Sequence, residues 1–413
     1  GWFSKRNDDT SSLGDWYPNT KKLPGGLKRI AGKINRLGLD FGLWVEPEMV
    51  TVDSDLYRNH PEWVIEIPDK NHSEGRNQRM LDLCQEAVQN YVIEEMSKVF
   101  SSANISYVKW DMNRTFTDYY SKKLSNNQQM EVAHRYVLGL YRCMKELTTR
   151  FPDILFEGCA AGGNRFDLGI LCYFPQIWAS DNTDALCRTH IQDGYSYGYP
   201  LSVFSAHVSN CPNHQTLRNT PLETRFAVAS FSLLGYECNL CDMKKEELEK
   251  IKEQISLYKK WRDIFQFGTF YRSRNDNIVE WTCVSKDQTK AVGMIIQKRV
   301  QPNTQYEYYK PQGLCEDKRY HFYNRELKYN LKDFGDLVNT ATPIHIKQDS
   351  VAHNIIAKFV KMDGEREDFI SYGDTLMYGG VKLKPGFSAN GYNQNVRFFP
   401  DFSSRMYFME VLD

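Results

Sequence analysis

Neither sign of charge dominates this sequence: 52 basic and 52 acidic side chains among 413 residues leave a formal net charge of zero. That balance removes any electrostatic reason to expect nucleic acid or an anionic membrane as a partner. No apolar run is long enough to span a bilayer, and nothing near the start resembles a signal peptide. Internal repeats and low-complexity linkers are missing as well. Cys238 and Cys241 form a CxxC with no second CxxC and no nearby HxxxH, so no metal site is expected there. The ten cysteines are scattered through a chain far too large to need disulfide staples. They read as reduced thiols in a cytoplasmic protein.

Aromatic residues are plentiful, with 25 Tyr, 23 Phe and 8 Trp. Aromatic faces cover the apolar faces of sugars, but large cores and β-sandwiches use them too, so this signal decides nothing alone. The length exceeds one small domain and suggests two, one of them large.

Up to about residue 262 strands and helices alternate. "LPGGLKRIAGKINRLGL" places Leu27, Ile30, Ile34 and Leu37 at helical spacing, with Gly38 as a stop. "FGLWVEPEM", "ISYVKWD", "DILFEGCA", "PQIWASD" and "PLSVFSAHV" read as short buried strands. Between them, "QEAVQNYVIEEMSKVFSSA" and "NNQQMEVAHRYVLGLYRCMKELTTRF" read as amphipathic helices, and "TPLETRFAVASFSLLG" as a further helix. Repeated strand–helix units with continuous apolar strands imply a parallel sheet covered by helices, and so many units favour an α/β fold of the (β/α)8 TIM-type barrel. "KKEELEKIKEQISLYKKWRDIF" is a charged helix that ends the alternation. Beyond it, "NIVEWTCVS", "AVGMIIQKRV", "YEYYKPQGL" and "SRMYFMEVL" are short aromatic or β-branched runs between turns, which predict an antiparallel β-sandwich. The expected domains are 1–264 and 265–413.

In "YVKWDMNR", an apolar run reaches Lys109 and Asp111 and stops. Side chains alternate along a strand, so these two share one face and Trp110 points the other way. The C-terminal ends of barrel strands form the active-site mouth. Glu46 and Glu48, Glu157 and Cys159, and Asp181 and Asp184 collect at other strand ends. For any one of these acids, a solvated loop position or a helix cap is the plainer reading. Asp111 and Asp181 together, each beside a Trp, weigh against it. His207 and His214 are spaced for a loop, not a ligand cluster. Two carboxylates without metal-ligand histidines suggest acid–base or nucleophilic work on an uncharged substrate, glycoside hydrolysis being the commonest such chemistry.

The strings "GWFSKRNDDTSSLGDW", "GLWVEPEMV", "GRNQ", "VKWDMNR", "CAAGGNRFDLGIL", "WASDNTDA", "SAHVSNCPNHQTLRNTPLETR" and "YGDTLMYGGVKL" occur in the order seen in the α-galactosidases of glycoside hydrolase family 36. The sequence resembles that family over essentially its whole length. The resemblance implies a retaining mechanism on melibiose- and raffinose-type α-galactosides, with Asp111 as nucleophile and Asp181 as acid/base. Lys109 would bind galactose hydroxyls and, beside Asp111, keep that carboxylate ionised. Trp44, Arg76 and Cys159 match sugar-contacting positions, and Asn113 lies where the family lines the same pocket. No cofactor or metal is implied, and relatives are often tetramers.

Two departures stand out. The family precedes "GWF" with two aspartates at the end of the first barrel strand, whereas this sequence starts at Gly1-Trp2. The expectation is a fragment lacking the first strand and the N-terminal β-sandwich. "GYECNL" replaces "GYELDL", which exchanges an aspartate for Asn239 and reads as drift at a strand end. A transglycosylase on the same scaffold and an inactive sugar-binding remnant are the rival functions.

Overall fold

The computed structural model describes residues 1–301, 308–340, 344–383 and 399–412. Two compact units divide the chain, Gly1–Asp181 and Asn182–Asp413.

The first unit is built on four parallel strands: β1 (Gly42–Val45), β2 (Tyr107–Trp110), β3 (Leu155–Gly158) and β4 (Gln176–Trp178). They pair in chain order, each with the next. Helix Gly26–Asn35 precedes β1, helix Glu86–Ser101 leads to β2, helix Val132–Arg150 to β3, and the short helix Leu168–Leu171 to β4. Three- and four-residue spacing explains how these helices pack. Val88, Val92, Met96 and Val99 line one buried stripe of Glu86–Ser101. Tyr136, Leu140, Cys143, Met144 and Leu147 line another on Val132–Arg150. Each fully buried aliphatic side chain contributes about 1.5–3 kcal/mol relative to an exposed one. Where the helix Val132–Arg150 meets Leu83, only glycine fits: a Cβ on Gly139 would lie 2.1 Å from the Leu83 carbonyl oxygen. The first helix ends at Asn35, so Leu37, expected on its apolar face, is exposed in the turn that Gly38 closes at φ 76°.

The second unit opens with helix Ala185–Tyr195 and the parallel pair Phe204–Ser209 and Leu233–Glu237, joined through helix Leu222–Ser230. The sequence predicts helix through Gly235. Instead the helix stops at Ser230 and Leu233–Glu237 is a strand. A continuous apolar run carries no period that separates a helix end from the short strand after it.

Helix Lys245–Phe267 buries Ile251, Gln254, Tyr258, Trp261 and Phe265 and ends the alternation. Six antiparallel strands follow, in the sheet order Asp368–Tyr372, Arg319–Asn324, Ser403–Val411, Lys290–Gln297, Ile278–Val284, Thr269–Arg274. The pair Tyr308–Tyr309 and Val381–Lys382 shares this sheet's core through Tyr309 and Val381. In "YEYYKPQGL", Tyr306 and Glu307 lie outside the described residues. Helix Val351–Phe359, capped by Ser350, was not anticipated. Among the described residues, no helix is long and apolar enough to cross a membrane.

Candidate active site

The register of the first unit sets the site. Trp44 pairs with Lys109, and Lys109 with Glu157. In-register neighbours on parallel strands face the same way, so Trp44, Lys109 and Glu157 line one face. Trp110 and Phe156 line the other and are buried. The strands end level. The Asp111 N–H donates to the Val45 carbonyl at 2.8 Å, and the Cys159 N–H to the Trp110 carbonyl at 2.8 Å. Asp111 and Cys159 therefore stand side by side at the C-terminal edge, as alternation predicts for the first of them.

Asp111 is 7% exposed. Its Oδ2 accepts the Trp44 indole N–H at 3.1 Å and the Asn113 side-chain amide at 2.7 Å, and its Oδ1 accepts the Met112 N–H at 2.8 Å. Burial pushes the carboxyl upward. Hydrogen bonds from Cys159, Asn113, Trp44 and Met112 outweigh it and hold Asp111 below the usual carboxylate range. Cys159 itself is pushed far up by burial and by the Asp111 charge, so it donates as a thiol. The Lys109 ammonium lies 3.8 Å from Glu157 Oε1 and 4.7 Å from the centre of the Trp178 ring. Glu157 sits inside β3, is fully buried, and also accepts the Gln176 side-chain amide.

The two acids after β1 have opposite surroundings. Glu48 is fully buried and bound by Arg165 Nη1 at 2.8 and 3.0 Å, by the Trp110 indole at 2.8 Å and by the Tyr136 hydroxyl at 2.7 Å. Glu46 accepts the Asn113 N–H at 2.5 Å and the Gln78 amide at 3.2 Å. Burial, then the Asp111 charge, lift it to about 7 against bonds from Asn113 and the charge of Arg76.

Asp181 follows β4 and is exposed, with the Trp178 indole donating to its Oδ1 at 2.9 Å. Arg76 is exposed in the turn Gly75–Gln78, where Arg76 and Asn77 adopt φ 52° and 57°. Left-handed backbone is uncommon outside glycine, and an arginine held there is an outlier of the sort that gathers at ligand sites. Thus Trp44, Asn113 and Cys159 converge on Asp111, Lys109 lies on the same face, and the charge of Arg76 is felt at Glu46. In the second unit Asp184 is a helix cap: it accepts the N–H groups of Leu186 and Cys187 and the Arg218 guanidinium. His207 pairs with Glu237 at 3.0 Å, and Asn239 caps a turn by accepting the Cys241 N–H. All ten cysteines are unbridged. Sequence reasoning assigned nothing to Arg165, Tyr136 or Gln78, whose carboxylate partners lie 117, 88 and 32 positions away.

Residues 1–268 match the family model described as Melibiase, and residues 278–409 match the glycosyl hydrolase family 36 C-terminal domain. α-Galactosidase AgaA of Geobacillus stearothermophilus is 49% identical over 323 residues, 78% of this chain and 44% of the relative. α-Galactosidase Mel36A of Lactobacillus acidophilus is 46% identical over 322 residues, again 78% of this chain and 44% of the relative. A crystal structure of an AgaA variant in complex with raffinose superposes with a TM-score of 0.84 at 41% identity, covering 100% of this chain and 50% of that one. The α-galactosidase of Lactobacillus brevis gives 0.84 at 39% identity, with the same coverage. The chain spans about half the length of the relatives it matches. The fold class expected from sequence, a (β/α)8-type barrel followed by an antiparallel β-sandwich, is that of these neighbours.

Proposed function

The chain belongs to the melibiase family of glycosyl hydrolases, and from that premise we propose that its strand-end site is that of a retaining α-galactosidase. The observation that carries this reading is Asp111, a buried carboxylate kept ionised by donors from β1, from the end of β3 and from its own turn. A nucleophile must be ionised to attack, and burial alone would have protonated it more readily. One Asp111 oxygen attacks the anomeric carbon as the glycosidic C–O bond breaks. Asp181 gives its proton to the departing oxygen. Asp181 then takes a proton from water, which attacks the same carbon, breaks the ester to Asp111 and releases galactose. The exposure of Asp181 suits a group that must meet both leaving group and water.

Lys109, Trp44, Arg76, Asn113 and Cys159 hold the galactosyl ring. Lys109 and Arg76 bring donors that Asp111 does not take, and these give selectivity, because a sugar lacking the matching hydroxyl leaves polar groups of the site unpaired. Terminal α-galactosides of the raffinose and melibiose type are the proposed substrates, supported by relatives crystallised with raffinose and stachyose. The same proposal divides the chain into a catalytic barrel, 1–264, and a C-terminal sandwich, 265–413. The separate family matches, 1–268 and 278–409, support a boundary in this region, just after the helix Lys245–Phe267. It also includes a cytoplasmic location, supported by the unbridged cysteines, and a homotetramer for the full-length protein.

Asp111→Ala tests the central role. Turnover of an aryl α-galactoside should fall by several orders of magnitude, and azide should restore part of it as β-galactosyl azide. Labelling of another residue by a mechanism-based fluorosugar would refute the assignment.

A further inference from the structure

Glu46 has no part in the reaction above, yet it is tied to Asp111 through a single residue. It follows β1 directly and is 1% exposed. Its Oε1 accepts the backbone N–H of Asn113 at 2.5 Å. The side chain of the same Asn113 donates to Asp111 Oδ2 at 2.7 Å. One residue therefore joins the two carboxylates, its backbone held by one and its amide spent on the other.

We infer that Glu46 is a positioning residue for Asp111: its carboxylate fixes the turn Asp111–Asn113, and protonation of Glu46 weakens that hold. The catalytic consequence rests on reading Asp111 as the nucleophile, but the coupling between the two carboxylates does not. A charged acceptor makes a hydrogen bond about twice as strong as a neutral one. Losing the charge on Glu46 therefore loosens Asn113 and with it one donor to Asp111. The charged groups facing Glu46 are Asp111, Arg76 and Arg6. Gln78 and Asn113 are neutral, and Glu48, two residues on, is bound by Arg165. Burial and the Asp111 charge bring Glu46 to about 7, so both of its forms are populated near neutrality.

The reporter is Trp44, whose indole N–H donates to the same Asp111 oxygen as Asn113. Its indole resonance, assigned with Trp44→Phe in 15N-labelled protein, is followed by NMR over about two pH units either side of that value. Asp111 is held below this window and Cys159 above it, so neither titrates within it. The unmutated protein should show a midpoint near 7, and Glu46→Gln should show none. This substitution keeps the packing: the new amide oxygen accepts the Asn113 N–H, and its NH2 takes the place of Oε2, where a flip of the Gln78 side-chain amide turns Oε1, a buried atom with no hydrogen-bond partner, toward it. Asn113→Ala separates positioning from a direct effect of charge. It leaves the Glu46 carboxylate in place but removes the link, so the Trp44 shift should shrink severalfold. An unmutated indole that does not move, one that titrates equally in Glu46→Gln, or one whose shift survives intact in Asn113→Ala would overturn the inference. In the same preparations the pH profile of kcat/KM should lose its limb near 7 in Glu46→Gln. If the unmutated protein cleaves no galactoside while the indole behaves as stated, the functional reading of Asp111 fails and the coupling stands.

Discussion

Replacing Arg165 by Met removes the one cation bound to Glu48 among the described residues. The carboxylate is fully buried, with Arg165 Nη1 at 2.8 and 3.0 Å from its two oxygens and two neutral donors, Trp110 and Tyr136, completing the shell. Met approximates the aliphatic stem of arginine but supplies no charge and no N–H. Breaking a buried pair from one side costs about 3–5 kcal/mol, because the surviving charge stays buried without compensation. Two donors to Glu48 survive here, so the loss should fall at the low end, about 3 kcal/mol, out of the roughly 5–15 kcal/mol that domains possess. Adding Glu48→Gln should then restore more than half of the loss. The buried charge is gone, while the amide oxygen still accepts from Trp110 or Tyr136. Urea unfolding followed by tryptophan fluorescence measures both steps as shifts in midpoint at constant slope. A single variant within about 0.5 kcal/mol of the unmutated protein, or a double variant no better than the single, would refute the account. Activity should fall with stability, because Arg165 Nη2 also lies 3.4 Å from the carbonyl of Cys159, the residue beside Asp111.

Three further outcomes follow from the same geometry. Asp181→Ala should depress cleavage of raffinose far more than that of an aryl galactoside whose leaving group needs little protonation; equal losses would remove Asp181 from the acid role. Glu46 is raised from 4.5 to about 7, by burial first and by the Asp111 charge second. Below 4.5 it is protonated in folded and unfolded chains alike; as pH climbs to about 7 the native state loses roughly 3 kcal/mol. Glu46→Gln should therefore match the unmutated protein in acid and exceed it above neutrality, and parallel stability–pH curves would contradict this. Gly139→Ala should destabilise by about 1–3 kcal/mol in a thermal melt despite the better helix propensity of alanine, because the new Cβ meets backbone at Leu83, which cannot swing away; an unchanged or higher Tm would show that the helix can shift at that crossing.

How much of this could be read beforehand depends on the range of the interaction. The helices Glu86–Ser101, Val132–Arg150 and Lys245–Phe267 announce themselves, because a 3.6-residue period is a local property. So does the placement of Lys109 and Asp111 on one face at a strand end, which needs only alternation. The helix boundary at Ser230 and the helix Val351–Phe359 did not, since a turn inside an apolar run and a short helix among strands leave no periodic trace. The carboxylate met by Lys109 was equally hidden. Alternation points it toward Asp111, but the register of β2 against β3 sets it 3.8 Å from Glu157, and no single strand encodes its register.

Glu46 and Glu48 make the same point at the site itself. Two residues apart at a strand end, they look equivalent in sequence, and alternation would give them one face. Yet Glu48 turns to Arg165, Trp110 and Tyr136, while Glu46 turns to Asn113 and Gln78. Pro47, which stands between them, cannot donate to a ladder, and β1 ends before it at Val45, so strand alternation no longer governs their directions. Their partners then decide the chemistry. A carboxylate with a guanidinium within 3 Å is part of the scaffold. One that shares Asn113 with the ionised Asp111, and among the described residues feels the more distant charges of Arg76 and Arg6 with no paired cation, is left near its own titration point. The charge state of Asp111's surroundings is therefore set by which of two adjacent acids receives the arginine.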